Sequence, residues 1–520
     1  MQTGNHKGAE SSLRRGDIFQ NLSVLLPALL VLVLGGVVQA QTYLNHDVAW
    51  VLNSSQRLLE GGTFGRDIVA ANPPLIWWLS ALVSGLSNSL GTDPVVTLRV
   101  VVLGMIGVGL AIAARGLAPV LAPGTRRLFL AFLALLLTVG VHRDFAQREH
   151  IAVVLCLPWL ILMMHRAEGG GQDWRLAALA GICAGIGIAF KPHFLAVPAL
   201  VWAYAALHRR SLRPVLTVET ATIVLTGAAY LLAVWLFARP YLTEVVPLIS
   251  QVYWGFDFPL GAVLLSRLGE TVLAVLALAL AARGGWRSAP TITALAALGF
   301  LIAAMAQSKG YSYHFYPVLA YALISLALSA LSPEVSSART RRLLMLPLGL
   351  GMVFAALQAA PALIYRSAQG TYGQQTACLV EMTQQVVPQG QGVMAFSTHP
   401  YPGFPVANYS HRRWVAETNS RLFLPAIARL RAQPELTPEL TEVLALAEAS
   451  ERAAALRDLA RSPKLVLVDA RPLRHAIGDL PMDFIAFYQE DPAFAQIWAH
   501  YTEIPSCAPG IRAFELTKGF

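Results

Sequence analysis

Seven of the nine residues from His142 to His150 are polar or charged, and they stand between two hydrophobic runs each long enough to enter a membrane. Ionisable side chains beside lipid are costly and are usually kept for function. This stretch offers two carboxylates (Asp144, Glu149), two guanidiniums (Arg143, Arg148) and two imidazoles (His142, His150). Such a set could position an acceptor or hold a divalent metal through Asp144, Glu149 and His150. It could equally be a charged loop whose carboxylates neutralise its arginines.

Four further stretches carry similar chemistry. Asp47, in Asn45-His46-Asp47, lies just beyond the first hydrophobic run. A carboxylate at a membrane surface is partly desolvated, which raises its pKa toward working pH and suits a general base. The other reading is a helix N-cap, a position that Asp favours. Lys191-Pro192-His193 interrupts an apolar hairpin; lysine is a point-charge partner for phosphate and histidine adds a donor, although a lysine at a helix end also snorkels. Ser308 to Pro317 places Lys309, Tyr313 and His314 at another membrane entry, where an aromatic belt is the alternative. Residues 239–259 form an aromatic loop with Tyr253 and Trp254, whose ring faces could contact sugars.

These clusters need elements to hold them. The chain has 520 residues, 55% hydrophobic and 13% charged, with a formal net charge of +9. Soluble proteins carry about 25% charged residues, so the composition points to a polytopic membrane protein with spans of about 20 residues. The basic excess marks cytoplasmic loops rather than a nucleic-acid partner. Residues 47–60 read as an amphipathic interfacial helix ended by Gly61-Gly62, and the Trp-bearing run 75–90 as a second interfacial helix or a span, in which case the loops from Arg115 onward would be exported. Spans are then expected at 21–40, 95–114, 127–141, 151–165, 176–190, 194–207, 215–237, 261–281, 289–307, 314–331 and 343–364, about eleven in all. With 75–90 lying on the membrane, the loops bearing Arg115, Arg126 and Arg127, then Arg166 and Arg175, then Arg209, Arg210 and Arg213, then Arg283 and Arg287, then Arg339, Arg341 and Arg342 are all cytoplasmic. The polar clusters converge on the opposite face.

The organisation expected is a cytoplasmic tail (1–20), an all-α transmembrane domain (21–365) and a C-terminal α/β domain (366–520) exported to the periplasm. In the last, 392–397 and 464–469 read as buried strands and 437–461 as helix. Cys378 and Cys507 bracket this region and could pair in an oxidising compartment. His399, Tyr401, His411 and Trp414 could form a sugar-binding edge there.

The order of features is the most specific signal. A first span leads to an Asp and an interfacial helix ending in Gly-Gly. Asn72-Pro73-Pro74-Leu75 and a Trp-rich helix follow. Then come an acidic loop, Phe190-Lys191-Pro192-His193, and Lys309 with Tyr313-His314-Phe315-Tyr316-Pro317. This order resembles the GT-C glycosyltransferases. The bacterial aminoarabinose and galacturonic acid transferases and the protein O-mannosyltransferases are the nearest groups in kind. The resemblance spans residues 20–365.

It implies an integral membrane enzyme of the bacterial inner membrane. Such an enzyme passes a sugar from a polyprenyl-phosphate carrier to an envelope glycolipid or polysaccharide at the periplasmic face, with inversion. By this resemblance Asp47 is the base and Asp144 or Glu149 the second acidic residue. Arg148, Lys191, His193, Lys309 and His314 would bind the donor phosphate, and Tyr253, Trp254 and Tyr313 would contact acceptor or sugar. Pro192 replaces a glycine found in the aminoarabinose enzymes, and His142 to His150 has no close counterpart there, which points to a separate subfamily with another sugar. No cofactor is required by this reading, although the acidic loop leaves a divalent metal ion open. A flippase for lipid-linked sugars, a ligase moving a whole glycan, and a non-catalytic component of an envelope complex are the alternatives.

Overall fold

A chain segment among lipid tails must satisfy its own backbone polar groups, so the apolar runs fold as helices. A computed structural model describes residues 6–171, 173–282, 288–331 and 370–517, with scattered positions between 345 and 357. In chain order the first helices are α1 (His6–Ala40), α2 (His46–Leu59), α3 (Leu75–Leu90), α4 (Pro94–Gly116) and α5 (Pro123–Thr138). Then come α6 (Arg148–Ala167), α7 (Trp174–Ala189), α8 (Ala196–Arg209), α9 (Val218–Phe237) and α10 (Val246–Val252). The helical series continues with α11 (Leu260–Leu264), α12 (Arg267–Ala282), α13 (Ser288–Gln307) and α14 (Ser312–Leu331).

Helices occupy each expected span position from 21–40 to 314–331, with 261–281 broken into α11 and α12. Among the described residues, six are long and apolar enough to cross a membrane: Ser23–Ala40, Pro94–Gly116, Arg148–Ala167, Val218–Phe237, Ala289–Gln307 and Ser312–Leu331. The expected span 343–364 lies for the most part outside the described residues, as do Arg283, Arg287, Arg339, Arg341, Arg342 and the start of the N-terminal tail.

The chain divides into two compact units. The first gathers Met1–Gln41, Arg99–Ala229 and Leu260–Leu363. The second gathers Thr42–Leu98, Tyr230–Pro259 and Ile364–Phe520. This division does not follow a single boundary near residue 365, because two earlier stretches pack with the C-terminal region.

In the first unit α6 and α14 are buried along nearly their whole length. Trp159, Phe129, Phe300, Phe315 and Tyr321 fill the core. Lipid gives helices little hydrophobic drive to associate, so close contact relies on small residues and buried hydrogen bonds. A Cβ on Gly35 of α1 would lie 2.2 Å from Thr138 Oγ1 of α5. One on Gly181 of α7 would lie 2.0 Å from Thr222 Oγ1 of α9. Tyr321 OH donates to Val153 O at 2.8 Å, and Tyr316 OH to Leu136 O at 3.1 Å.

The second unit is built on a five-stranded sheet: β1 (Gly392–Phe396), β2 (Arg413–Trp414), β3 (Leu465–Asp469), β4 (Tyr501–Ile504) and β5 (Ile511–Leu516). The strand order is β2-β1-β3-β5-β4. β1 runs parallel to β2 and β3, while β5 is antiparallel to both β3 and β4. β1 and β3 are buried at every position, as parallel central strands covered on both faces must be. Around the sheet stand α15 (Gly370–Val386), α16 (Val406–Ser410), α17 (Leu424–Arg431), α18 (Pro438–Leu459), α19 (Phe484–Gln489) and α20 (Pro492–Trp498). Arg421 is buried and neutralised by Glu451 at 2.6 Å and Asp458 at 2.7 Å.

The earlier stretches dock on this sheet unit through specific bonds. Arg57 of α2 donates to Asp67 O at 2.7 Å and to Trp414 O at 2.6 Å. Trp50 packs on Phe404, and Gly255 fits so closely that a Cβ would lie 2.6 Å from Ala426 N. Cys378 and Cys507 are joined in a disulfide with their Cα atoms 6.1 Å apart.

Candidate active-site residues

The first unit carries a buried polar cluster where four helices begin or end. Glu149 lies in the first turn of α6, where the helix dipole favours a carboxylate. The preceding loop turns sharply through His142 (φ 51°) and Ala146 (φ 66°). His150 braces it. Its Nδ1 accepts from Ala146 N at 3.0 Å, which leaves the proton on Nε2 to donate to Leu137 O at 2.9 Å. Lys191 follows α7, where Pro192 starts a short 3-10 turn, Pro192–Leu195. Gln307 ends α13 and His314 opens α14.

These ends meet at Lys191 Nζ. Glu149 Oε1 lies 2.6 Å away, Gln307 Oε1 accepts at 2.6 Å, and His314 Nε2 stands at 3.1 Å. Gln307 and His314 thus accept hydrogen bonds from the ammonium, and Glu149 faces it as an ion pair. Because His314 Nε2 accepts, its proton sits on Nδ1, a buried donor with no hydrogen-bond partner among the described residues. Both Glu149 carboxylate oxygens are likewise buried without a hydrogen bond among them. Tyr313 sets its ring 5.7 Å from Lys191 Nζ and its edge against His314.

Arg148, Lys309 and His193 also lie within electrostatic reach of His314. All five residues expected to bind phosphate (Arg148, Lys191, His193, Lys309 and His314) therefore belong to one neighbourhood. Arg148, Lys191 and Lys309 are buried there with one buried carboxylate, Glu149. The His193 imidazole is held below its ordinary pKa by burial first and by the Lys191 charge second. Asp144, half-buried, accepts from Ser312 Oγ at 3.0 Å. Among the described residues no three His, Cys, Asp or Glu side chains converge as a metal site. His150 spends both ring nitrogens on the backbone, and Glu149 pairs with Lys191, so the metal reading of the acidic loop has no ligand set.

Asp47 belongs to the second unit. The cap of α2 is Asn45, whose Oδ1 accepts from Asp47 N at 2.9 Å, so the Asp47 carboxylate is not the cap. Nearby, the His46 and His399 rings lie 4.2 Å apart, and His399 and His475 5.1 Å. The Asp47 charge acts on His475. Tyr253 packs on Phe256, which in turn reaches His475, while Trp254 Nε1 donates to Gln251 O at 2.9 Å. His411 and Trp414 take no part. His411 is exposed at the end of α16, and Trp414 packs on Phe404 and donates to Thr418 O at 3.0 Å.

No protein-family model matches the chain, and no curated protein matches it in sequence. Solved structures do. The crystal structure of ArnT from Cupriavidus metallidurans bound to undecaprenyl phosphate matches with a TM-score of 0.54 at 12% identity, over 94% of this chain and 97% of that one. The chain has the GT-C fold. The oligosaccharyltransferase AglB from Archaeoglobus fulgidus, in complex with an inhibitory peptide and a dolichol-phosphate, matches at a TM-score of 0.43 and 14% identity, over 92% and 72% of the two chains. The arabinofuranosyltransferase AftD from Mycobacteria matches at 0.43 and 15%, over 95% and 40%.

On this GT-C fold the residues singled out in the sequence fall into two groups. Glu149, Asp144, Arg148, Lys191, His193, Lys309, His314 and Tyr313 lie in the first unit; Asp47, Tyr253 and Trp254 lie in the second. Sequence reasoning missed Gln307, which completes the Lys191 shell, and His475 with Arg471, which join His399 and Tyr401. Gln307 precedes Ser308-Lys309 and carried a signal, a polar residue at a helix end. His475 carried none, because only strand pairing brings its loop beside that of His399.

Proposed function

We propose that this protein is an integral membrane glycosyltransferase of the bacterial inner membrane that moves a sugar from a polyprenyl-phosphate-linked donor to an envelope glycolipid or polysaccharide at the periplasmic face. The observation that carries the reading is the cation-rich cluster around Lys191, with the buried His314 Nδ1–H as an additional donor, on a fold shared with a protein whose structure holds undecaprenyl phosphate. Three buried cations gathered at helix ends suit a phosphate. A sugar phosphodiester supplies one.

In the reaction the bond from the anomeric carbon to the phosphate oxygen breaks, and its electron pair leaves on the polyprenyl phosphate. Arg148, Lys191, Lys309 and His314 stabilise that developing charge. The acceptor hydroxyl oxygen attacks from the opposite face, which inverts the centre, and its proton passes to Asp47. Glu149 holds Lys191 and His314 in place, and Asp144 fixes the start of α14 through Ser312. The periplasmic orientation is supported by the positive-inside pattern of the loops and by the Cys378–Cys507 disulfide. A transporter would carry its polar residues near span midpoints. Here Glu149, Lys191, Gln307 and His314 all sit at helix ends.

Mass spectrometry of envelope glycolipids and glycans from wild type, a deletion strain and an Asp47→Asn strain tests this. Loss of one sugar mass in both altered strains is expected and would name sugar and acceptor together. Glycans altered by deletion but intact in Asp47→Asn would remove Asp47 as base.

A further inference from the structure

Lysine carries its charge on a flexible four-carbon stem, so a buried ammonium points where its acceptors hold it. Gln307 accepts from Lys191 with its own orientation fixed. Its Oε1 accepts from Lys191 Nζ at 2.6 Å, while its Nε2 donates to Ala303 O, one turn back in α13, at 2.8 Å. A flipped amide would set its NH2 group against the ammonium and its oxygen against a carbonyl, so the two bonds select one orientation. The mount is firm. Gln307 is the last residue of α13, and Ser308 closes the helix in the left-handed region (φ 48°), its N and Oγ both donating to Met305 O, at 3.1 and 3.0 Å. The helix dipole at this end favours a cation.

The charge at this position matters as much as the aim. Glu149 Oε1, 2.6 Å from Lys191 Nζ, already offsets the lysine charge. His314 Nε2 accepts as a neutral imidazole nitrogen. A glutamate at 307 would bind the ammonium more strongly than a glutamine does, because charge-assisted hydrogen bonds are the stronger kind. The chain carries the neutral amide instead. The cluster therefore keeps three buried cations (Arg148, Lys191, Lys309) to one buried carboxylate.

We infer that Gln307 is a positioning residue of the donor-phosphate site: it aims the Lys191 ammonium and, being neutral, keeps the site positive for the phosphate. It acts through Lys191 and needs no contact with the substrate. A second carboxylate on Lys191 would leave the lysine well held and the phosphate facing like charge. The inference rests on the transferase reading and adds a residue to the donor side of it.

The test is binding of undecaprenyl phosphate to the purified full-length protein in lipid nanodiscs, with thermal unfolding of the same samples. Gln307 is half-buried, and Gln307→Glu keeps an acceptor for Lys191, so its Tm should stay within about 3 °C of wild type. Like charge near the phosphate should nevertheless weaken binding about a hundredfold. Gln307→Glu with Glu149→Gln restores the count of one carboxylate and should recover at least about tenfold of that loss. Gln307→Met drops the acceptor without adding charge and should weaken binding about tenfold, the worth of one lost hydrogen bond. In sugar transfer, kcat/KM for the donor should follow the same order, with KM for the acceptor unmoved. A residue that merely satisfies Lys191 gives another pattern: Gln307→Glu binds like wild type, and the double variant gains nothing over it. Either result overturns the inference, as does wild-type binding by Gln307→Met or a wild type that does not bind undecaprenyl phosphate. Binding that follows the expected order without sugar transfer would keep the role of Gln307 and remove the transferase. Transfer by Gln307→Glu at wild-type donor KM would do the reverse.

Discussion

Glu149 Oε1 lies 2.6 Å from Lys191 Nζ, and both side chains are buried. The pair joins the start of α6 to the end of α7. Gln307 and His314 complete its shell from α13 and α14. A lysine read as a phosphate ligand is thus also the keystone of four helix ends. Both roles follow from one fact: a buried ammonium must be surrounded by acceptors.

Removing one partner leaves the other charge buried and unpaired. Lys191→Met should destabilise the membrane unit by about 3–5 kcal/mol, whereas Lys191→Met with Glu149→Leu should recover most of that loss. Thermal unfolding in detergent measures both. Sugar transfer should stay absent in the double variant, since the phosphate loses a cation in either case. A double variant as unstable as the single would show that the ion pair is not the reason for the loss.

Stability of the second unit should fall in mild acid. His475 has its pKa lowered to about 4, by burial first and then by His46, and His399 lies well below the ordinary value for the same leading reason. In the unfolded chain both titrate near 6.5. Between these values the unfolded state binds more protons, so the contribution is complete above about pH 6.5 and is lost as pH drops toward 4. Tm should decline from pH 7 to pH 5, and His399→Gln with His475→Gln should flatten that slope. A Tm independent of pH over this window would contradict the assignment.

Gly181 allows α7 to approach α9. A Cβ there would lie 2.0 Å from Thr222 Oγ1 and 2.4 Å from the backbone oxygen of Glu219, which cannot rotate away. Gly181→Ala should therefore cost about 1–3 kcal/mol of stability. Gly124→Ala meets nothing within 4 Å and should be neutral, or stabilising by up to about 1 kcal/mol through helix propensity. Detergent-solubilised Tm values compare the two directly.

The Cys378–Cys507 disulfide closes a long loop around the sheet, with a sequence separation of 129. Cys507→Ser should lower the stability of the second unit by about 2–5 kcal/mol. Peptide mapping without reductant should recover the linked pair from cells that export the domain. Free thiols at both positions in material from the envelope would argue against a periplasmic location.

Much of the architecture was legible in the sequence because lipid imposes a strong local rule. Apolar runs must be helical, so helices stand at each described span position. β1 and β3 were legible as short apolar runs bounded by breakers; β2, with only two residues, and β4 and β5, interrupted by Thr502, Glu503, Arg512 and Glu515, gave no such run. The cations of Arg148, Lys191 and Lys309 were visible because charge beside lipid is rare.

Tertiary structure decided what those residues touch. The sequence by itself determined which groups are polar at helix ends, since that depends on composition within one run. It did not determine that Glu149, Gln307 and His314 converge on Lys191, that Asn45 rather than Asp47 caps α2, or that His475 reaches His399. Those depend on helix packing and strand order, which bring together loops far apart in the chain. No local pattern of residues encodes that pairing.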